Sequence, residues 1–319
     1  MAVIGLDIGG STTRAARAED GVVVAEAESG SANIAAVEVG EAGRRIAEAI
    51  SAVGTDGVVA VCAGAAGADA DDSVRTMHDL VAACVPGAAV GIVHDARLVL
   101  AAAGLDVGVA VISGTGSVAW GASADGQDAR AGGWGHLLGD EGSAFQVALD
   151  AVRHGLHRMN RGEPVDALTS AMLDACGLTR PESLIDHVYA RTERSAGGAS
   201  ISTDKRYWAR HAGVVAALAE RGDPAAGAVL DTAADALVAL ASTVLTRLAI
   251  PGPLVLGGGF VLHQPALAQR VRDRLPTTEI RLLDTAPVFG AVRLAQQLET
   301  SQLETAMAPA QPDPAWERA

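Results

Sequence analysis

The chain contains the same short pattern twice, and this internal repeat constrains its fold more than any other feature. Each copy opens with an apolar strand, passes through a turn of glycine, serine and threonine, and enters a second strand. The first copy spans residues 2–18 and the second spans residues 107–122. Such repeats indicate that one supersecondary unit has been used twice. We therefore expect an α/β protein with two related halves, each opening on a hairpin.

The remaining pattern divides the 319 residues into two domains and a tail. Helical periodicity alternates with short apolar strands as far as residue 106 and is mainly helical from about 140 to 248. The polar stretch 192–205 is typical of a surface loop. We expect an N-terminal domain over 1–106, a C-terminal domain over 107–299 and a flexible tail over 300–319.

The two repeated turns are candidate phosphate-binding loops. Small residues there bring backbone N–H groups and hydroxyls close to a ligand, and a carboxylate beside them can hold Mg²⁺. Each turn alone could be an ordinary hairpin turn. At matching places in two repeats, they could grip one triphosphate from both sides. The residues concerned are Asp7, Gly9, Gly10, Ser11 and Thr12 in the first copy and Gly114, Thr115 and Gly116 in the second.

Other nucleotide-binding signatures do not fit. The chain has no GxxxxGK[ST] motif and no protein-kinase HRD and DFG motifs. Residues 114–119 loosely match a dinucleotide fingerprint but lead into a strand, where that fingerprint requires a helix.

Two acidic positions could carry chemistry or simply cap a helix. Asp95 follows a strand and precedes a helix, where a carboxylate suits either general-base catalysis or an N-cap. Asp140 ends the glycine-dense run GGWGHLLGD and could accept hydrogen bonds from sugar hydroxyls or cap the next helix. His136 within this run is a lone histidine, for which a structural role is commoner than contact with a ligand. The triple glycine Gly257–Gly259 after a strand could support a flat ring or form a tight turn.

With these motifs placed, the sequence resembles the N-acetylglucosamine kinase branch of the BadF-type ATPase family, in the actin/hexokinase superfamily. The resemblance covers nearly the whole chain, and its most specific part is GGWGHLLGDEGS at residues 132–143. It implies a duplicated, ribonuclease H-like fold with mixed sheets and a central cleft. It also implies transfer of the γ-phosphoryl group of ATP to the 6-hydroxyl of N-acetylglucosamine.

The resemblance also implies residue roles. Asp95 would be the catalytic base, and Asp7 would organise Mg²⁺, through water. Ser11 and Thr115 would face the phosphates of ATP, Ala209 the adenine, and the 257–259 turn the nucleoside. The sugar pocket would be lined by Asn33, Ser117, Val118, Gly133, Trp134, Gly135 and Asp140. The first turn departs from the family pattern by carrying Ile8 and Ser11 where glycine and threonine are frequent.

Composition limits the partners. Hydrophobic residues make up 49% of the chain, which is enough for two sizeable cores. The net charge of -14 disfavours binding to nucleic acid. The ligands that the resemblance implies are ATP and a small amino sugar. The N-terminus lacks a basic, cleavable leader and its apolar run is too short to span a bilayer. We expect a cytoplasmic protein without membrane attachment and, by frequency, a homodimer.

Three alternatives stay open. A glucosamine kinase would have the same fold and chemistry. An ATPase that activates radical dehydratases would need cysteines at a subunit interface to hold an iron–sulfur cluster, and Cys62 lies in a predicted buried strand. A sugar-sensing regulator would need no catalysis. The three cysteines have no CxxC spacing and are best interpreted as free thiols in a reducing compartment.

Overall fold

The structure is a computed structural model that describes residues 1–10, 12–65, 70–184, 187 and 205–307. The chain forms two compact units. The first unit comprises Met1–Gly104 together with the segment that begins at Thr285, and the second unit comprises Leu105–Asp284.

The first unit is a five-stranded sheet with helices on both faces. Its order is β3-β2-β1-β4-β5, in which β1, β2 and β3 are antiparallel neighbours and β4 and β5 run parallel to β1. The elements, in chain order, are β1 (Ala2–Ile8), β2 (Thr12–Glu19), β3 (Val22–Gly30), α1 (Val39–Val53), β4 (Val58–Ala65), α2 (Asp71–Ala82), β5 (Ala89–His94) and α3 (Asp95–Ala102).

The alternation of side chains along β1 explains why this sheet is covered twice. Ile4, Leu6 and Ile8 point to one face and pack with α1 and α2, while Val3 lies in the core on the opposite face. A strand buried on both sides is expected to be almost entirely apolar. Strand β1 fits this expectation, and Asp7 is its one charged residue.

The second unit repeats the same sheet. Its order, β10-β9-β6-β7-β8, read from the other edge, gives the strand sequence of the first unit. The prediction of an internal duplication is therefore confirmed. The elements are β6 (Gly108–Ser113), β7 (Ser117–Ala122), β8 (Asp128–Gly132), α4 (Ala144–Asn160), α5 (Ala167–Cys176), α6 (Lys205–Ala209), α7 (Ala212–Glu220), α8 (Pro224–Leu248), β9 (Leu254–Gly257), α9 (Gly259–His263), α10 (Pro265–Arg274) and β10 (Ile280–Leu282).

Helix α8 is long and apolar enough to cross a membrane by length and composition. Its apolar residues recur at helical spacing on the side that packs into the core of the second unit, among them Leu230, Leu237 and Val244. Its other side carries Asp231 and Asp235, which pair with Arg270 and Arg274 of α10. We interpret α8 as an amphipathic core helix.

The end of the chain corrects two expected boundaries. The segment from Thr285 belongs to the first unit, so the second domain ends at Asp284 where the sequence predicted 299. The physical reason is the last helix, α11 (Pro287–Met307), whose Val288 and Val292 are buried in the first unit's core. Residues 300–307, predicted as part of a flexible tail, continue this helix, and residues 308–319 lie outside the described residues, as do residues 192–204 of the predicted loop.

Two glycines allow α11 to lie close to its neighbours. A Cβ atom on Gly290 would stand 2.1 Å from the carbonyl oxygen of Leu98 in α3, and one on Gly5 would stand 2.4 Å from the backbone nitrogen of Val292. Both contacts are with backbone, which cannot rotate away. Glycine is therefore required at both positions by close packing.

We predict that Gly290→Ala destabilises the first unit by about 1–3 kcal/mol or more, because α3 and α11 must separate to admit the methyl group. Gly40→Ala is the matched control, since Gly40 is exposed in α1 and a Cβ atom there would meet no other atom within 4 Å. That control should be stabilising by about 0.4–1 kcal/mol through lower entropy of the unfolded chain. Chemical denaturation measures both, and equal effects of the two substitutions would contradict the packing argument.

Candidate active site

The first predicted phosphate turn joins β1 to β2 in the first unit. Its backbone closes through a hydrogen bond of 2.9 Å from the Gly9 N–H to the Thr12 carbonyl. Gly10 is exposed, and a Cβ there would meet no atom within 4 Å. The turn therefore has open space beside Gly10, and a close approach of phosphate to backbone would need such space. Ser11, which was expected to face ATP, lies outside the described residues.

Asp7 and Asp95 lie at the same end of the strands of the first sheet. Strands β1, β4 and β5 are parallel, so their carboxyl ends form one edge of the sheet, perpendicular to the strands. Asp7 is near the end of β1, and Asp95 follows β5 two strands away, roughly 10 Å between the backbones. Burial first, and then the negative charge of Asp95, raise the pKa of Asp7 to about 6, against the opposing effect of Arg14. Two carboxylates are thus held close enough to repel each other.

His94 caps helix α3, and this leaves Asp95 free of the capping role that its position in the sequence also allowed. The His94 Nδ1 atom accepts a hydrogen bond of 3.1 Å from the Ala96 N–H. Asp95 is the first helical residue, and its Oδ1 atom lies 3.0 Å from His94 Nδ1. Its side chain is 23% exposed, so the carboxylate can be reached by a ligand.

Asn33 follows a segment that is tied to the first turn. The Ser31 hydroxyl donates to the Gly9 carbonyl at 2.9 Å, and the Ala32 N–H donates to the buried Thr13 hydroxyl at 3.0 Å. The side-chain oxygen of Asn33 accepts from the Ala35 N–H at 2.9 Å. This turn uses only the oxygen of the amide, and the NH₂ group is the part that could donate to a ligand.

The second predicted phosphate turn joins β6 to β7 and lines a cleft of about 470 Å³ within the second unit. The Gly114 N–H donates to the Gly116 carbonyl at 2.9 Å. Four residues predicted to bind ATP, from three separate segments of the chain, lie on this one cleft. The lining residues are Gly114, Thr115, Ala144, Arg206, Ala209, Arg210, Gly213, Gly259, Phe260 and Gln264.

The glycines after β9 reach the same cleft because β9 is parallel to β6. Gly257 pairs with Ile112 at the end of β6, and Gly258 follows with a φ of 92°. A Cβ on Gly258 would stand 2.6 Å from the Ser113 carbonyl oxygen. Positive φ and this close approach both require glycine. Gly257 and Gly258 therefore shape the edge of the sheet, and Gly259 lines the cleft.

Asp140 is held against the second turn. Its Oδ1 atom accepts a hydrogen bond of 3.2 Å from the Ser117 N–H, and a Cβ on Gly116 would stand 2.7 Å from that same oxygen. Its φ is 68°, which few residues other than glycine adopt. The following helix is capped by Ser143, whose hydroxyl accepts from the Gln146 N–H, so neither Asp140 nor Glu141 is the cap.

Three glycines between the end of β8 and Asp140 have a left-handed backbone conformation. Gly132, Gly133 and Gly135 have φ between 73° and 78°. The Gly133 N–H donates to the Ser117 carbonyl at 3.0 Å, and a Cβ on Gly133 would stand 3.0 Å from the buried Val118 side chain. Gly133, Ser117 and Val118 are thus neighbours.

Two aromatic rings of the same run have different surroundings. Trp134 is 64% exposed and lies under the guanidinium of Arg130, 5.0 Å from the ring centre. His136 packs edge-on against Phe145, with 5.3 Å between ring centres. This contact gives His136 a structural role.

Known proteins match this chain over most of its length. The sequence profile of the BadF/BadG/BcrA/BcrD ATPase family matches residues 4–295. An N-acetylmuramic acid/N-acetylglucosamine kinase of Clostridium acetobutylicum is 30% identical over 310 residues, which cover 92% of this chain and 98% of that relative. The chain belongs to the BadF/BadG/BcrA/BcrD ATPase family. An N-acetyl-D-glucosamine kinase of Dictyostelium discoideum is 28% identical over 249 residues, 75% of each chain.

Solved structures confirm the predicted fold class. A protein of Chromobacterium violaceum, provisionally named an N-acetylglucosamine kinase, matches 92% of this chain and 99% of its own with a TM-score of 0.71 at 24% identity. A ROK family glucokinase of Streptomyces griseus, in complex with glucose and AMPPNP, matches 93% and 99% with a TM-score of 0.55 at 18% identity. This BadF-type ATPase thus has the two-domain, actin/hexokinase-like α/β fold of sugar kinases.

Sequence reasoning missed four residues that the structure places beside predicted site residues. His94 contacts Asp95, and Arg206 and Arg210 line the cleft with Ala209. Lys205 lies 2.7 Å from the Asp140 carboxylate. Lys205 could have been singled out from the sequence, because it is the only lysine among the 24 lysine and arginine residues. The arginines gave none, since arginine is spread throughout the chain.

We predict that Asp7→Asn stabilises this family member at neutral pH. A carboxyl whose pKa is about 6 in the folded state and 3.8 as its ordinary value takes up a proton on folding between those pH values. Stability therefore falls as the pH rises through that window, and asparagine removes the effect. The gain is at most about 3 kcal/mol, at 1.36 kcal/mol per pKa unit.

Thermal denaturation of wild type and Asp7→Asn across that pH range measures the difference. The two proteins should converge below about pH 4, where aspartate is neutral in both states. A variant that is less stable than wild type at neutral pH would show that Arg14 outweighs burial and Asp95.

Proposed function

We propose that the chain is a sugar kinase that transfers the γ-phosphoryl group of ATP to the 6-hydroxyl of N-acetylglucosamine. The observation that carries this proposal is the placement of Asp95, reachable by ligands, at the same sheet edge as Asp7 and the first glycine turn. The names of the two curated relatives support the acceptor.

The proposed acceptor residues have different chemical roles. Asp95 takes the proton from the attacking hydroxyl as a general base, which makes the oxygen a better nucleophile. The Asn33 amide donates a hydrogen bond to the sugar. In the second unit, Asp140 accepts from sugar hydroxyls, while Ser117 and Gly133 shape the wall behind it. Val118 and Gly135 offer only backbone contacts, and the exposed Trp134 offers a ring face.

The donor is held mainly by backbone and by local positive charge. Gly9, Gly10, Ser11 and Thr12 in one turn and Gly114–Gly116 in the other supply N–H groups and hydroxyls to the phosphates. The cleft beside Ala209 accommodates the nucleoside, and its Arg206 and Arg210 provide positive charge in a chain of net charge -14. Phosphoryl transfer depends on such positioning and charge stabilisation.

Mg²⁺ fits the carboxylates at the first sheet edge. Magnesium in kinases is bound by one or two carboxylates, waters and the substrate's phosphates. Asp7, with Asp95 raising its pKa, is a carboxylate whose repulsion a divalent cation would relieve. Asp7 would hold the ion, directly or through water, and the bound ion would neutralise charge on the phosphates.

Two alternatives differ in testable ways. A glucosamine kinase would use the same residues on the free amino sugar, and the Clostridium relative's name adds N-acetylmuramic acid to the panel. A dehydratase-activating ATPase requires reactive cysteines, but Cys62 is 1% exposed and burial raises the pKa of its thiol to about 12. A thiol held neutral in a sheet is a poor cluster ligand. This observation favours the kinase.

We also propose a cytoplasmic homodimer. The three cysteines are free thiols, which suits a reducing compartment. Twofold dimers are the commonest closed assembly. Light scattering of the purified protein measures the oligomeric state directly.

We predict that Asp95→Asn lowers kcat by roughly 10²- to 10⁴-fold, the usual contribution of a general base. Asp79→Asn, which removes an exposed carboxylate from α2 of the same unit, should retain wild-type turnover. Coupled ADP release with N-acetylglucosamine, glucosamine and N-acetylmuramic acid measures both the effect and the acceptor. Near wild-type kcat in Asp95→Asn would remove Asp95 from the role of base, and no ADP release with any sugar would refute the kinase.

We predict that Asn33→Ala raises the KM for sugar about tenfold, the value of one hydrogen bond to the ligand, and leaves the KM for ATP within about twofold. Asn33→Asp is the matched variant, because it keeps the oxygen that accepts from Ala35 and removes only the NH₂ donor. Both variants should lose sugar affinity, and only Asn33→Ala should lose thermal stability. A wild-type sugar KM in Asn33→Asp would show that Asn33 acts through the turn alone.

A further inference from the structure

The chain's only lysine is paired with the buried carboxylate of the proposed acceptor site. The Lys205 ammonium lies 2.7 Å from Asp140 Oδ2, with the Asp140 side chain 4% exposed and the Lys205 side chain 31% exposed. Among the ion pairs of the described residues, no other carboxylate is so deeply buried. The other 23 basic residues are arginines.

Electrostatics require a cation at this place. An ionised carboxylate withdrawn from water is costly unless it is paired and hydrogen-bonded. Asp140 cannot easily turn away, because its Oδ1 atom accepts from Ser117 N–H and its backbone has a positive φ. The Lys205 ammonium supplies the compensating charge on the opposite oxygen.

The pair leaves lone pairs of the Asp140 carboxylate unused. A carboxylate offers about four lone-pair sites, of which the Ser117 N–H and the Lys205 ammonium occupy two. The remaining sites can accept hydroxyl protons. An ammonium is compact, so it can neutralise the carboxylate without covering it, whereas the forked arginine side chain tends to engage both oxygens.

Helix α6 offers a competing structural role for the same contact. Lys205 begins this helix, and Arg206 and Ala209 of the helix line the nucleotide cleft. If the ion pair served only to hold α6 in place, its loss would weaken the binding of ATP. If it served Asp140, its loss would weaken the binding of sugar. The two roles therefore predict different kinetics.

We propose that Lys205 is a positioning residue of the acceptor site. Its ammonium pairs with the Asp140 carboxylate and holds it in place, so that the remaining lone pairs accept hydroxyls of the sugar. This inference rests on the proposed kinase function, and it assigns to Lys205 no contact with the reacting atoms.

Substitution separates the two roles. Lys205→Met removes the charge at similar length and should raise the KM for sugar roughly 30-fold or more, the usual cost of truncating one partner of a buried ion pair. The KM for ATP should stay within about threefold. Lys205→Arg should recover at least part of the sugar affinity. Arg206→Met, on the same helix but lining the cleft, should show the reverse pattern, with the larger change in the KM for ATP.

A double-substitution cycle tests whether Lys205 acts through Asp140. Asp140→Asn combined with Lys205→Met should raise the sugar KM no more than Asp140→Asn alone. A larger ATP effect than sugar effect in Lys205→Met, or additive effects in the double variant, would overturn the proposal. Thermal denaturation identifies a variant that fails to fold, and Lys205→Arg then carries the test.

Labelling gives a readout independent of turnover. An amine-reactive ester can modify only Lys205 and the N-terminal amine, which pairs with Asp20 in the other unit and serves as the internal reference. Mass spectrometry should find Lys205 labelled several-fold faster in Asp140→Asn than in wild type, with unchanged labelling of the N-terminus. N-acetylglucosamine should slow the labelling of wild-type Lys205. Equal Lys205 rates in both proteins would refute the ion pair.

Failure of the proposed function would be recognised separately. If wild type released no ADP with any sugar, calorimetric binding of N-acetylglucosamine to wild type and Lys205→Met would decide the positioning role. Weaker binding to the variant would support it, and equal or undetectable binding to both would overturn it.

Discussion

The parallel pairing of β1 with β4 and of β4 with β5 is the constraint on which the placement of Asp7 and Asp95 depends. Parallel strands end together, so residues that leave β1 and β5 at their carboxyl ends arrive at one edge, although Asp7 and Asp95 are 88 positions apart in the sequence. The same pairing of β6 with β9 brings the turn after Ser113 and the glycines after Leu256 to one edge of the second sheet. Crevices beyond the carboxyl ends of strands are the usual ligand sites of open α/β sheets.

Close packing of small residues makes this arrangement possible. Gly5 and Gly290 let the last helix lie against β1 and α3, which closes the second face of the first sheet with a segment from the far end of the chain. Gly116 likewise permits a close contact, because a side chain at this position would displace the Asp140 carboxylate. The low aromatic content of 3% is consistent with cores built from alanine, valine, leucine and glycine.

The electrostatic design is local. A chain with a net charge of -14 binds an anionic nucleotide only if positive charge is concentrated where the phosphates lie. The cleft of the second unit, which is the proposed nucleotide site, is lined by two arginines. In the first unit, by contrast, the carboxylates of Asp7 and Asp95 repel each other. This repulsion lowers the stability of the folded protein, and a bound cation would offset that loss. Such opposed pKa pressures are frequent at functional sites.

The sequence by itself determined the duplication, the strand–turn–strand openings and the candidate acids, because these follow from short-range periodicity and from the restricted chemistry of glycine-rich turns. Together with resemblance to a known family, it also located four of the ten residues that line the cleft of the second unit. Tertiary structure alone decided that Thr285 onward completes the first unit, that His94 and Ser143 are the helix caps, and that Lys205 neutralises Asp140. The first and the last depend on contacts between residues far apart in the chain, and the caps depend on a choice between adjacent polar side chains.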